Sequence, residues 1–265
     1  MGWRLFDWDF VDEVCIISVE GAQARLERSL ARLEAVGIPR ERVTHITDVP
    51  RENKKKAIWN NHRKAWRHII EHAPRRGLVF EDDILTSENL TSEHLRRVAN
   101  WVEAHPDSFD VLFLGHWPTT NLTKVNDFIV KTSSLLAHAY VLPTSIAKKI
   151  VDTEPPESHA VDMDLLRRFP KAHAVYPMLF YQEEEVSSNL GRKQFINLRD
   201  ANAFMERAAY EHKLFPNPQG LLSYLQLLSL AKGRVDLGAE LKQALLDVPH
   251  MLKESLRTDA KTPPY

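Results

Sequence analysis

The feature that most constrains the fold is an alternation. Over roughly the first 200 residues, short β-branched apolar runs trade places with longer amphipathic segments. "DEVCIISVE" is a buried strand in character. "AQARLERSLARLEAVGI" follows, with Leu26, Leu30, Leu33 and Val36 at helical spacing and Gly37 and Pro39 to stop it. "RVTHITDV" alternates and predicts a second strand. "KKKAIWNNHRKAWRHIIEHA" predicts a helix ending before Pro74, and "GLVFEDDIL" a third strand. The spacing then predicts a helix over "SEHLRRVANWVEAH", capped by Ser92, and a strand at "DVLFLGH". "DFIVKTSS" and "AHAYVLP" predict shorter strands, "TSIAKKIVD" a helix capped by Thr144, and "AVYPMLF" a last strand. Strand and helix in this order predict an α/β domain: a mixed, mostly parallel Rossmann-type sheet flanked by helices. In such sheets ligands gather at the carboxyl ends of the strands.

The character changes near residue 200. "DANAFMERAAYEHKL", "QGLLSYLQLLSLAKG" and "LGAELKQALLDVPHMLKESL" predict helices. The expected division is therefore 1–198 for the α/β domain and 199–265 for a helical extension, packed on the domain or at a homodimer interface. The stripe Leu221, Leu222, Leu225, Leu228 and Leu230 is a packing face first, and a dimer seam or membrane-surface contact second.

Composition narrows the function classes. A formal net charge of -1 gives no reason to expect nucleic acid as a partner. No stretch approaches 18 apolar residues, and the start "MGWRLFDWDF" has no long apolar core, so neither a spanning helix nor a signal peptide is expected. The single cysteine, Cys15, cannot form an internal disulfide, which points to a cytoplasmic protein. With no secretory route, the two "NLT" sequons at Asn89 and Asn121 are expected to be silent.

The chemistry concentrates in "LVFEDDIL", residues 78–85. Three apolar residues, Leu78, Val79 and Phe80, run into Glu81, Asp82 and Asp83. On a strand, Glu81 and Asp83 share one face and Asp82 takes the other. Clustered carboxylates at the end of a buried strand need compensation, and Mg²⁺ or Mn²⁺ supplies it together with phosphate oxygens of a substrate. The competing explanation is a strand that exits into solvent, where acids are welcome.

The order of motifs resembles glycosyltransferase family 25, the lipopolysaccharide and procollagen galactosyltransferase family, with its GT-A fold. The residues that carry the resemblance are "CIISVEGAQARLERSL", "NNHRKAWRHII", "LVFEDDI", "DVLFLGH", "AHAYVLPTSIAKKIV", "AVDMDLL" and "VYPMLFYQEEEVSSNLG". It covers roughly residues 12–192 and leaves the helical end uncovered. "EDD" looks like the DxD-type signature of that fold. Two departures stand out. The family's Ser-His step reads Asn61-His62, and its closing Ser-Asp step reads Ser187-Ser188-Asn189, without an acid. They bear on the third metal ligand and on details of the sugar contacts.

The resemblance implies a metal-dependent, inverting hexosyltransferase. A UDP-sugar, UDP-galactose by family likeness, would donate to a hydroxyl of a surface glycan or lipooligosaccharide, with Mn²⁺ or Mg²⁺ as cofactor. The enzyme would be cytoplasmic, in peripheral contact with a membrane carrying a glycolipid acceptor. Asp83 would hold the metal. Asp82 or Glu81 would contact the ribose or a metal-bound water, with Asp82 also a candidate ligand. Ser18, Val19 and Glu20 would line the nucleotide. Arg25 either reaches a phosphate or decorates an exposed helix face. His62 matches the family's histidine in the donor region, although a lone helical histidine is more often structural. Asp162 is the preferred base toward the acceptor hydroxyl, with Asp164 the alternative; both also suit a helix N-terminus. Gln182 would touch sugar hydroxyls or the metal, and Trp117 would stack on a sugar face. Two rivals remain: a sugar nucleotidyltransferase, disfavoured because "SVEGAQAR" holds one glycine, and a non-catalytic glycan-binding or assembly module.

Overall fold

The first strand, β1 (Glu13–Val19), shows why this chain makes a sheet covered on both faces. Val14 and Ile16 point into one apolar layer, Cys15 and Ile17 into the other, and all four are buried. A strand buried on both sides reads as a continuous apolar run, as this one does. The computed structural model describes residues 6–48, 54–117, 123–132, 135–154, 166 and 169–182. The expected helical extension, Asp162, Asp164 and the Ser187–Asn189 step lie outside the described residues.

After β1 come α1 (Gln23–Ala35), a 3₁₀ turn at Arg40–Arg42, β2 (Val43–Asp48), α2 (Lys54–His72) and β3 (Arg76–Glu81). β4 (Ile84–Thr86), α3 (Ser92–Ala104) and β5 (Val111–Trp117) follow. Then come β6 (Thr123–Lys124), β7 (Ile129–Lys131), β8 (Leu135–Pro143), α4 (Thr144–Ile150), β9 (Ala172–Val175) and β10 (Phe180–Gln182). Eight strands form one sheet in the order β2-β1-β3-β8-β5-β9-β7-β6. β2, β1 and β3 pair in parallel, as do β5 and β9. β8 pairs antiparallel with both β3 and β5, and β7 antiparallel with both β9 and β6. Only β8 and β7 therefore oppose the common direction. This is the expected mixed, mostly parallel sheet flanked by helices.

α1 and α3 cover one face, where Leu26, Leu33, Leu95, Val98 and Trp101 meet Leu78 and Phe80. α2 and α4 cover the other, where Trp59, Trp66, Ile69 and Ile146 meet Val79, Tyr140 and Leu142. Each fully buried Leu or Ile contributes about 1.5–3 kcal/mol relative to exposure. Trp59 and Trp66 meet edge to face, 5.9 Å between centroids at 84°, which favours one packing over many.

The elements differ from the sequence expectation in four places. "GLVFEDDIL" is not one strand. β3 stops at Glu81, Asp82 and Asp83 make a turn, and β4 pairs with β10 in a separate ribbon. "AVYPMLF" divides into β9 and β10 around Pro177, which has no N–H to give a ladder. Thr91, not Ser92, caps α3: its Oγ1 accepts from the His94 N–H at 3.1 Å. Thr144 is the first residue of α4 rather than its cap, and its hydroxyl donates to the Ala73 carbonyl at 2.8 Å, tying α4 to the end of α2.

Candidate functional site

Strand order locates the site before any side chain is considered. From β1 the chain moves to β2 on one side, while β3 lies on the other. The reversal falls between β1 and β3, and the crevice outside their carboxyl ends is where such sheets bind ligands. Ser18 and Val19 end β1, and Glu81 ends β3. Both lines of sequence evidence therefore meet at one point in the fold.

The loop after β1 turns tightly. Gly21 has φ of +87°, a left-handed conformation that an L side chain adopts at a cost. Ala22, the N-cap of α1, offers no side-chain hydrogen bond to the helix. The first-turn N–H groups of α1 thus present partial positive charge at this end of the sheet. Ser18 is buried, Val19 half-buried and Glu20 exposed.

The three carboxylates take three environments. Asp82, 3% exposed, faces the α1 layer. Its Oδ1 lies 2.5 Å from Arg25 Nη2, and its Oδ2 accepts the Ser18 hydroxyl at 2.6 Å. Ser29, one helical turn beyond Arg25, donates to the Asp82 carbonyl at 2.8 Å. Asn61 on α2 donates from Nδ2 to the Ser18 carbonyl at 2.8 Å. This network locks the end of β1, the first turn of α1 and the Asp82–Asp83 turn to one another. Arg25 is not surface decoration: it is 7% exposed, and its guanidinium neutralises Asp82. Both oxygens of Asp82 are engaged by protein groups.

Glu81 points the other way, toward α2, as strand alternation requires. His62 Nε2 lies 3.5 Å from Glu81 Oε1. His62 is fully buried against Tyr140 and Trp66, so it stands behind Glu81.

Asp83 has an unmet need. As a residue it is half-buried, but its Oδ1 has no solvent contact and no hydrogen-bond partner among the described residues. Burial pushes its pKa up to about 8; the charges of Glu81 and Asp82 add to the rise, and Arg25 opposes it. Gln182 on β10 pairs across the small ribbon with Ile84, the residue that follows Asp83. Trp117 ends β5 in register with Leu135 at the same end of the sheet. The structure thus brings together Ser18, Val19, Glu20, Arg25, His62, Glu81, Asp82, Asp83 and Gln182.

A divalent cation fits Asp83, whose buried oxygen lacks a partner. Among the described residues no three His, Cys, Asp or Glu side chains are arranged to hold a metal. A magnesium-type site needs only one or two carboxylates, because substrate phosphates and waters complete it. Ser29 and Tyr140 escaped the sequence reading. Ser29 was within reach, since its spacing from Arg25 places both on one helical face. Tyr140 was not, because its partners on α2 are distant in sequence.

No family model matches the chain, and neither does any curated protein. Among solved structures it is similar to A197 from STIV, at 10% identity and a TM-score of 0.43, covering 64% of this chain and 85% of that one. It is also similar to UDP-glucose pyrophosphorylase complexed with UDP-glucose, at 10% identity and a TM-score of 0.40, covering 76% and 81%. A third is mannose-1-phosphate geranyltransferase from Thermus thermophilus, at 12% identity and a TM-score of 0.38, covering 62% and 73%. No helix among the described residues is long and apolar enough to cross a membrane.

Proposed function

We propose that the chain is a sugar-nucleotide-dependent enzyme, and more specifically a cation-dependent hexosyltransferase. It would move a hexose, galactose by family resemblance, from a UDP-sugar to a hydroxyl of a surface glycan or lipooligosaccharide. One observation carries the reading: Asp83 holds a buried carboxylate oxygen without a partner at the reversal point of the sheet, beside Glu81. A carboxyl held there without compensation is costly, and a cation with a diphosphate removes that cost.

Asp83 would hold the cation, with Glu81 adjacent and Gln182 within the same rim. Asp82, whose oxygens serve Arg25 and Ser18, would act by fixing the turn that presents Asp83. When bound, a divalent cation supplies positive charge against the developing charge of a nucleoside diphosphate leaving group. The open first turn of α1 and the turn at Gly21 would receive a phosphate or the ribose beside Ser18, Val19 and Glu20. Trp117 would offer an aromatic face to the sugar. Asp162, or Asp164, would take the acceptor proton, as inverting transfer requires.

A thermal-shift panel tests this: UDP, GDP, CMP and UDP-hexoses, each with and without Mn²⁺. A ligand of the native state at about 100 times its Kd adds about 2.7 kcal/mol of stability. The expected result is a Mn²⁺-dependent rise in Tm with uridine diphosphates, lost in a folded Asp83→Ala variant. An unchanged response in that variant would sink the assignment of Asp83. No response to any nucleotide would move the reading to a glycan-binding module.

A further inference from the structure

Trp66, His62 and Tyr140 form a buried group that the proposed chemistry does not use. His62 and Trp66 are one turn apart on α2, and Tyr140 faces them from β8. All three are fully buried. Trp66 Nε1 lies 2.9 Å from the Tyr140 hydroxyl, and His62 Nδ1 lies 2.9 Å from the same oxygen.

Proton direction follows from what each group can do. An indole N–H only donates, so the Tyr140 oxygen accepts from Trp66. Among the described residues, His62 Nδ1 is the one remaining partner for the hydroxyl hydrogen. If Nδ1 carried a proton, the Tyr140 oxygen would receive two hydrogens and its own would be left unpaired in an apolar layer. Such a buried, unpaired donor is disfavoured. Nδ1 therefore accepts, and the proton of the neutral ring sits on Nε2. That nitrogen lies 3.5 Å from Glu81 Oε1, an electrostatic approach and not a hydrogen bond. An N–H edge attracts a carboxylate; a ring lone pair would repel it.

We infer that Trp66 and Tyr140 form a one-way donor chain into His62 that turns its Nε2–H edge toward the Glu81 carboxylate and steadies that charge beside Asp83. His62 is a positioning residue in this scheme and does not contact the donor. The inference rests on the cation reading in one respect, the role of Asp83. Glu81 is the charge that acts most strongly on Asp83, so moving it changes the field at the cation position. Partners directly behind a metal ligand typically govern 10–100-fold in affinity; Glu81 stands beside the ligand Asp83, so the low end, about 10-fold, is expected here.

The experiment has two readouts on the full chain. Long-range ¹H–¹⁵N spectra of ¹⁵N-histidine-labelled protein report which ring nitrogen carries the proton; His62→Gln assigns the signals by their loss. Mn²⁺ titration of the wild type, Tyr140→Phe and Trp59→Phe reports cation affinity. Trp59 is equally buried but stands outside the chain of donors. The expected result is a protonated Nε2 with a bare Nδ1, and Mn²⁺ binding weakened about 10-fold by Tyr140→Phe but unchanged by Trp59→Phe. A proton on Nδ1 overturns the inference and leaves the cation reading standing. So does an unchanged Mn²⁺ affinity in Tyr140→Phe, or equal weakening in the two variants, which would mark a packing effect. A wild type that binds no Mn²⁺ overturns the cation reading and, with it, the role given to Glu81.

Discussion

Arg25 and Asp82 show how much a single pair can decide about a loop. Their side chains are 9% and 4% exposed, and the pair joins α1 to the turn after β3. Removing one partner strands the other charge in the interior, so Arg25→Ala is expected to cost ~3–5 kcal/mol in urea denaturation. Asp83 makes the opposite kind of prediction. Its folded pKa, raised by burial and by Glu81, stands near 8 against an ordinary 3.8. Between those values the folded protein binds a proton that the unfolded chain releases. The stability from this group is thus full below pH 3.8 and is lost as pH rises through about 8. Cation-free wild type should lose stability over that window relative to Asp83→Asn, which cannot titrate. Parallel pH dependences of wild type and variant in chemical denaturation would refute this. The sequence made the face of each acid legible, because alternation on a strand is local. It did not make the partner of Asp82 legible, because Arg25 reaches it only after a helix and two strands have folded.

Elements carry the next set of constraints. β5 and β8 approach so closely that Gly115 has no room for a side chain: a Cβ there would meet the His138 ring and lie 2.5 Å from the Phe180 carbonyl. His138, and His116 at the end of β5, are fully buried. Burial lowers their pKa values to about 4 and about 3, with mutual repulsion adding to the effect at His116. For these groups the unfolded chain takes up protons first. Their contribution to stability is present above the ordinary value of 6.5 and falls as pH drops toward 4 and 3. His138→Gln should therefore flatten the acid limb of a stability–pH curve, and an unaltered limb would show that His138 titrates normally. Much of this level was readable in the sequence. The apolar runs at β1, β3 and β5, the alternation at β2 and the helical spacing in α1 and α2 are strong signals. The end of β3 was not readable, because "EDDIL" keeps an apolar flank whether it continues the strand or turns into a second ribbon. Nor was the register of β8, because strand pairing between distant segments leaves no local mark.

The whole molecule couples these scales through the reversal point between β1 and β3. A cation needs Asp83 deprotonated, so binding there competes with a proton. The stabilisation by Mn²⁺ should grow as pH rises through about 8 and shrink below it. Melting curves at several pH values, with and without Mn²⁺, check this; a pH-independent increment would place the ion elsewhere. The position of β8 has a further consequence, for how the chain is made. β3 is complete at Glu81, but its neighbour on the open side, β8, ends only at Pro143. At synthesis rates of ~5–20 residues per second, the intervening ~60 residues take roughly 3–12 s to emerge. Throughout that interval the nascent β2-β1-β3 half presents an apolar edge with unpaired backbone groups. The strand that finishes the sheet is thus also the one that ends its vulnerability to neighbouring chains on the same polysome.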